Sequence, residues 1–309
     1  MDNKKIFEVI VVATMSAGKS TVINALIGQE LLHSANEAAT ATIIRIHDKD
    51  HLKGFQGTAY GYQNEQLDIK ENIDTATLNA WNADTMVKTI DLIGDMRAIS
   101  NNRHAEIVIY DTPGPNNSQD DNHETLTMEV VNDGNYGLIL YVLNATQLGT
   151  QDDRNLLESV QQTLKNDDHK KILFLLNKSD KLDEEKGESV QNAIANATKY
   201  LNNIGFDNPE IVPVSAYFAL LAKKALHKQS LTRSEFADLS YNINDMDNRF
   251  IESAVVPMNV KNKLSKKMKN ISNKRSFAIR GKYFSVASLK ALNAKSGFGL
   301  VKIILQKYL

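Results

Sequence analysis

The sequence predicts an α/β fold in three layers, with a mostly parallel central sheet and additional helices at its C-terminal end. Two observations carry this. Apolar, β-branched runs alternate with helix-periodic stretches from Ile6 to Ser215, and the strand pattern stops after Ser215. Strands that are apolar along their whole length are buried on both faces, as a parallel sheet covered by helices requires.

The elements follow in order. Ile6–Ala13 (IFEVIVVA) reads as a buried strand and Lys19–Gly28 as a helix stopped by Gly28. Thr42–His47 reads as a strand, and Lys53–Tyr62 as another with glycine breaks. Thr75–Ser100 has helical spacing through Leu78, Trp81, Met86, Ile90, Ile93 and Met96. Ala105–Asp111 and Asn135–Asn144 are strands, followed by a helix from about Gln151 to Lys165. Lys170–Asn177 is a strand, Lys186–Ile204 a helix, and Glu210–Ser215 the last strand. Beyond it, helices are expected over roughly 217–228, 231–254, 258–272 and 284–307. The expected division is a core over residues 1–216 and a basic helical extension over 217–309 packed on it.

Composition narrows the function classes. The 309 residues are 42% hydrophobic and 24% charged, ordinary for a globular protein. With no Cys there is neither a disulfide nor a thiolate metal site, and the seven His lack zinc-type spacing. No signal-peptide layout precedes Ile6. The longest apolar runs, such as Leu138–Leu143, fall far short of the roughly 20 residues that span a bilayer. The expectation is a cytoplasmic protein without a transmembrane segment, with a peripheral place at membrane or nucleoid left open. The net charge of −1 hides a polarity: 13 Lys/Arg and no Asp or Glu lie between Met258 and Leu309, leaving the remainder at −14.

Three motifs carry the chemistry. Ala13-Thr14-Met15-Ser16-Ala17-Gly18-Lys19-Ser20 matches G-x-x-x-x-G-K-[ST] with Ala at the first position, and it joins a strand to a helix. In such a loop the backbone N–H groups of Met15 through Thr21 wrap a phosphate at a helix N-terminus. Gly18 permits close approach, Lys19 reaches the β- and γ-phosphates, and Ser20 ligates Mg2+. Asp111-Thr112-Pro113-Gly114 follows a strand directly. Asp111 suits the Mg2+ shell, and the Gly114 N–H suits the γ-phosphate. Asn177-Lys178-Ser179-Asp180 ends another strand. The Asp180 carboxylate can accept from the guanine N1–H and 2-amino group, donors that adenine lacks. The Lys178 stem can lie over the base, and Ser215-Ala216 suits a backbone contact to the guanine O6. In this order the motifs predict a P-loop GTPase fold taking GTP and Mg2+ and releasing GDP and phosphate.

Met15-Ser16-Ala17-Gly18-Lys19-Ser20-Thr21-Val22-Ile23-Asn24-Ala25-Leu26-Ile27-Gly28 resembles the "SAGKSSxINALxG" stretch of bacterial dynamin-like proteins, and Asp111–Gly114 resembles their D-T-P-G. The resemblance runs from Ile6 to about Ala219. It implies that Thr40, 21 residues after Lys19 in Ala38-Ala39-Thr40-Ala41, ligates Mg2+ and positions the attacking water. Pro115 stands where small Ras-like GTPases carry a Gln, and Met15 where many dynamins carry one. The family is similar in using phosphate-loop groups such as Ser16, a monovalent cation and homodimerisation through G domains instead. Ser296–Leu305 is similar to the helix closing a dynamin G domain, and the chain ends at Leu309 without the family's long helical stalk. A truncation lacking that stalk is the expectation, over a minimal member.

The basic segment has three readings: a solvated face on packed helices, a contact for membrane lipid or DNA, or a docking surface for an acidic protein. The alternative to a GTPase is a GTP-gated binding protein with negligible turnover, acting on DNA or chromosome-associated partners.

Overall fold

In a computed structural model of the protein, the described residues are 5–32, 42–96, 105–113, 122–133, 136–165, 169–271 and 275–308. The first half holds β1 (Lys5–Ala13), α1 (Lys19–Ile27), β2 (Ile43–Asp48), β3 (Phe55–Tyr60), β4 (Gln66–Lys70), α2 (Thr75–Ala83), β5 (Thr89–Gly94) and β6 (Ala105–Asp111). Then come α3 (Asn122–Asp133), β7 (Leu138–Asn144), α4 (Gln151–Lys165), β8 (Lys171–Asn177), α5 (Val190–Ile204) and β9 (Ile211–Pro213). The remainder forms α6 (Ala216–Leu226), α7 (Arg233–Asn242), α8 (Arg249–Ser253), α9 (Met258–Lys269), β10 (Ser276–Ile279), β11 (Lys282–Ser285), α10 (Val286–Lys295) and α11 (Phe298–Leu305).

Among the described residues, nine strands form one sheet in the order β4-β3-β5-β2-β6-β1-β7-β8-β9. The pairs β6-β1, β1-β7, β7-β8, β8-β9 and β2-β5 are parallel. Strand β2 runs antiparallel to β6, and β3 runs antiparallel to both β4 and β5. The expected three-layer α/β fold with a mostly parallel sheet is therefore observed.

Side-chain alternation along β1 supplies two cores. Val9, Val11 and Ala13 face a core shared with α1, α2, α9 and α11, while Ile10 and Val12 face another with α4, α5, α6 and α10. Each fully buried aliphatic side chain contributes about 1.5–3 kcal/mol, so central strands apolar on both faces are fixed in place. The buried Tyr141 keeps its hydroxyl satisfied by donating to Asp153 Oδ1 at 2.9 Å.

Several sequence expectations are corrected, among them the single helix over 231–254, which is α7 and α8. The long helix over Thr75–Ser100 is instead α2 followed by β5, with residues 97–100 outside the described set. Its apparent spacing of three through Ile90, Ile93 and Met96 is a coincidence. The buried pair is Ile90 and Leu92, two apart, while Met86 and Ile93 are exposed. Strand β4 went unread because no burial marks it: its residues are exposed or half-buried. Strands do not stop after Ser215, since β10 and β11 form a hairpin turned by Arg280 (φ 47) and Gly281 (φ 82). Both turn residues have positive φ, the pairing that matches strand twist in a two-residue hairpin. Finally, the helix expected over 284–307 is two helices, α10 and α11, broken at Gly297.

Candidate functional site

Parallel strands β1, β6, β8 and β9 run in the same direction, so their C-terminal ends open on one edge of the sheet. The motif residues sit there. Met15 to Gly18 form the loop after β1, and Lys19, Ser20 and Thr21 form the first turn of α1. Asp111 closes β6 and Asn177 closes β8. Lys178 and Asp180 occupy the turn after β8, Ser215 caps α6, and Ala216 is its first residue. Thr40, Gly114 and Pro115 lie outside the described residues.

The phosphate loop is held by its neighbours. Gly18 is left-handed (φ 89), and a Cβ there would meet Asn177 Nδ2 at 2.5 Å. Glycine is needed both for the turn and for that approach. Ser16 is also left-handed (φ 60), a non-glycine outlier of the kind that accumulates in ligand clamps. Asn177 Nδ2 donates to Ala17 O at 2.9 Å, and Asn177 Oδ1 accepts from Ala216 N at 3.1 Å. Asn144, register partner of Asn177, donates from Nδ2 to Ser16 O at 3.5 Å. Two aligned asparagines thus hold two successive carbonyls of the loop. Ala13 is buried at the end of β1, so the methyl that departs from the usual glycine packs into the core.

The charged groups come together at the loop mouth. Lys19 Nζ donates to Asp111 Oδ1 as an ion pair linking the first two motifs. Thr112 Oγ1 donates to Val11 O at 3.1 Å, tying the end of β6 to β1, and Thr127 Oγ1 donates to Pro113 O at 2.6 Å. The oxygen-donor set of Ser20 and Asp111 fits a hard divalent cation such as Mg2+.

At the other end, Lys178 is left-handed (φ 63), and its Cε lies 4.0 Å from where a Gly18 Cβ would stand, so its stem lies along the phosphate loop. Ser179 Oγ donates to Leu176 O at 2.7 Å and fixes the turn. Asp180 has a side chain only 6% exposed, yet its Oδ2 has no hydrogen-bond partner, with Lys181 Nζ 3.8 Å away. A buried carboxylate oxygen without a donor is costly unless a ligand supplies one. Ser215 Oγ accepts from Phe218 N at 3.2 Å, and Ser215 N donates to Ser296 O at 2.9 Å. Both residues expected to offer a backbone N–H to the guanine O6 therefore donate within the protein.

Sequence reading missed Asn144, the cap at Ser215, and Asn24. The Asn24 side chain accepts from Leu31 N and Leu32 N and donates to Leu32 O at 2.7–2.9 Å, closing the turn after α1. One signal for Asn144 was present: β7 and β8 both end in Leu-Asn.

The basic segment is spread over α9, the hairpin, α10 and α11. Lys263, Lys266, Lys267 and Lys269 are exposed on α9. Burial, then the nearby Lys267 and Lys290, push the Lys302 amine below the ordinary lysine range. No helix among the described residues is long and apolar enough to cross a membrane.

The model of a family described as "Dynamin family" matches residues 9–179. An uncharacterised protein from the xynA 3′ region of Caldicellulosiruptor sp. (strain Rt8B.4) is 25% identical over 232 residues, covering 75% of this chain and 54% of that protein. Two solved chains come from an oligomerised bacterial dynamin pair, described as providing a mechanism for long-range sensing and tethering of membranes. One has a TM-score of 0.53 at 19% identity, covering 85% of this chain and 41% of its own. The other has a TM-score of 0.51 at 20% identity, covering 87% and 49%. The chain thus spans about half the length of the proteins it matches.

Proposed function

The chain belongs to the dynamin family, a family of GTPases, and on that premise we propose that it binds GTP with Mg2+ at the ends of β1, β6 and β8 and hydrolyses it to GDP and phosphate. The observation that carries the reading is Asp180 Oδ2, a buried acceptor without a hydrogen-bond donor, two residues from a lysine whose stem lies along the phosphate loop. Guanine N1–H and its 2-amino group are the pair of donors that satisfies it.

The residues act in sequence. The phosphate enters the N-terminal turn of α1, where Gly18, Lys19, Ser20 and Thr21 turn their N–H groups toward it. Lys19 exchanges Asp111 for the β- and γ-phosphate oxygens. Ser20 and the freed Asp111 are the groups that would hold Mg2+. When bound, Mg2+ neutralises charge on the β- and γ-phosphates. Ser16, Thr40 and Gly114 are assigned to the γ-phosphate end: Thr40 orients the attacking water, and Gly114 donates its N–H to the γ-phosphate. The water oxygen bonds to the γ-phosphorus as the bond to the β,γ-bridging oxygen breaks, and charge builds where Lys19 and the loop N–H groups point.

Titration calorimetry with GTP, ATP and XTP tests the base reader. Wild-type protein should prefer GTP over ATP by about 10⁴-fold or more. Asp180→Asn should prefer XTP, because xanthine replaces the 2-amino donor with an acceptor. Unchanged GTP selectivity in Asp180→Asn would sink the assignment.

A further inference from the structure

The two edges of the sheet are finished differently. At one edge β9 is only three residues long, and Pro213 has no N–H to offer. Ile211 exchanges two backbone hydrogen bonds with Val255, at 2.9 and 2.8 Å, so that edge is already paired. At the other edge β4 pairs with β3 alone among the described residues. An open edge strand is a template for another strand.

The directions of the β4 backbone groups can be followed. Phe55 O accepts from Ile73 N, and Tyr60 O accepts from Lys88 N. Hence Gly57 and Ala59 turn their backbone toward β4. Their partners Lys70 and Asp68 turn back toward β3. The residue between them, Ile69, therefore points its N–H and C=O outward. Its N–H is met at present by Asp68 Oδ1 at 2.8 Å, a side chain standing in for a strand. The Ile69 side chain is 59% exposed, on the face opposite Asp68 and therefore away from α2, while Leu67, 41% exposed, sits where the β3–β4 register shifts between Ala59 and Tyr60.

We propose that β4 pairs antiparallel with β4 of a second copy of this chain about a two-fold axis at Ile69, joining two sheets into one. In that register Ile69 and Ile69 of the partner subunit exchange N–H···O=C bonds in both directions. Each Asp68 then faces Lys70 of the partner subunit. Losing the local bond to Ile69 N–H frees Asp68 Oδ1 for that lysine, while its Oδ2 keeps Trp81 Nε1 at 3.1 Å. The charges also select the register, because shifting the axis to Asp68 sets that carboxylate against its own copy, and like charges directly opposite destabilise. The interface is separate from the nucleotide site: β3, β5, β2 and β6 lie between β4 and β1.

The paired strands are short, so the association is weak and is read at protein concentrations up to the order of 100 µM. Sedimentation equilibrium of the full chain without nucleotide should show mass rising toward the dimer. Lys70→Glu sets two like-charged pairs in the homodimer and should remain monomeric. Asp68→Lys does the same with opposite sign. An equimolar mixture of the two variants should regain dimerisation, since both cross-strand pairs are then complementary. A monomeric wild type across this range overturns the proposal. So does a Lys70→Glu protein that dimerises as wild type does, a reading that stands even if Asp68→Lys, which also touches Trp81, does not fold. Association seen only with nucleotide would equally overturn it, while leaving the GTP assignment intact.

Discussion

Asn177 commits both halves of its amide inside the protein, one to the phosphate loop at Ala17 and one to α6 at Ala216. Its expected role was in the base-reading motif, and in the structure it spans the two ends of the site. Asn177→Ala leaves a buried carbonyl and a buried N–H without partners, which costs about 1–3 kcal/mol for each. Urea unfolding should show the lowered midpoint, and GTP affinity should fall. The preference for GTP over ATP should persist, because Asp180 is untouched. Residues such as Lys19, Asp111 and Asp180 were legible because a fixed spacing around a turn demands those side chains. Asn144 was not, because its function comes from standing beside Asn177 in the sheet, and strand register is a property of the fold.

Legibility at the level of elements followed burial. The central strands β1, β6, β7 and β8 announced themselves as apolar runs because both of their faces are covered. On the other side of the sheet, β4 is exposed or half-buried throughout and β5 is buried at every second residue, so β5 passed for helix and β4 went unread. The break between α10 and α11 was hidden for another reason. Gly297 looks tolerable inside a helix, yet it is left-handed (φ 87), and a Cβ would collide with Pro213 O. That contact seats the two C-terminal helices against the end of β9. Gly297→Ala must therefore pay a left-handed penalty of about 1–2 kcal/mol and also move backbone. Its thermal midpoint should drop by at least about 2–4 °C, measured by circular dichroism.

Across the whole molecule, Lys223 joins parts far apart in sequence. Buried on α6, it donates from Nζ to Ala25 O on α1, and its ammonium lies 5.3 Å from the Phe298 ring centroid. Burial first, then Lys302, pushes its amine down to about 7. The folded value lies below the unfolded one, so between them the unfolded chain holds more protons. Stability from this group therefore rises with pH above about 7, and the full penalty remains below it. From pH 7 to 9 the gain is up to about 2 kcal/mol. Lys223→Met should flatten the rise in urea midpoint over that window. Buried tyrosines such as Tyr141, raised above their ordinary value, act in the opposite sense only at higher pH.

The sheet order also sets a schedule for synthesis. Strand β1 leaves the ribosome about a hundred residues before either of its sheet neighbours, β6 and β7, since Lys5 lies in register with Ala105. At a translation rate of about 5–20 residues per second, the phosphate-loop strand waits on the order of 5–20 s for its first neighbour. During that interval Val9 to Val12, among the most apolar residues of the chain, have no sheet to enter. A nascent chain of this protein is thus exposed for longest at the segment on which its nucleotide site is later built.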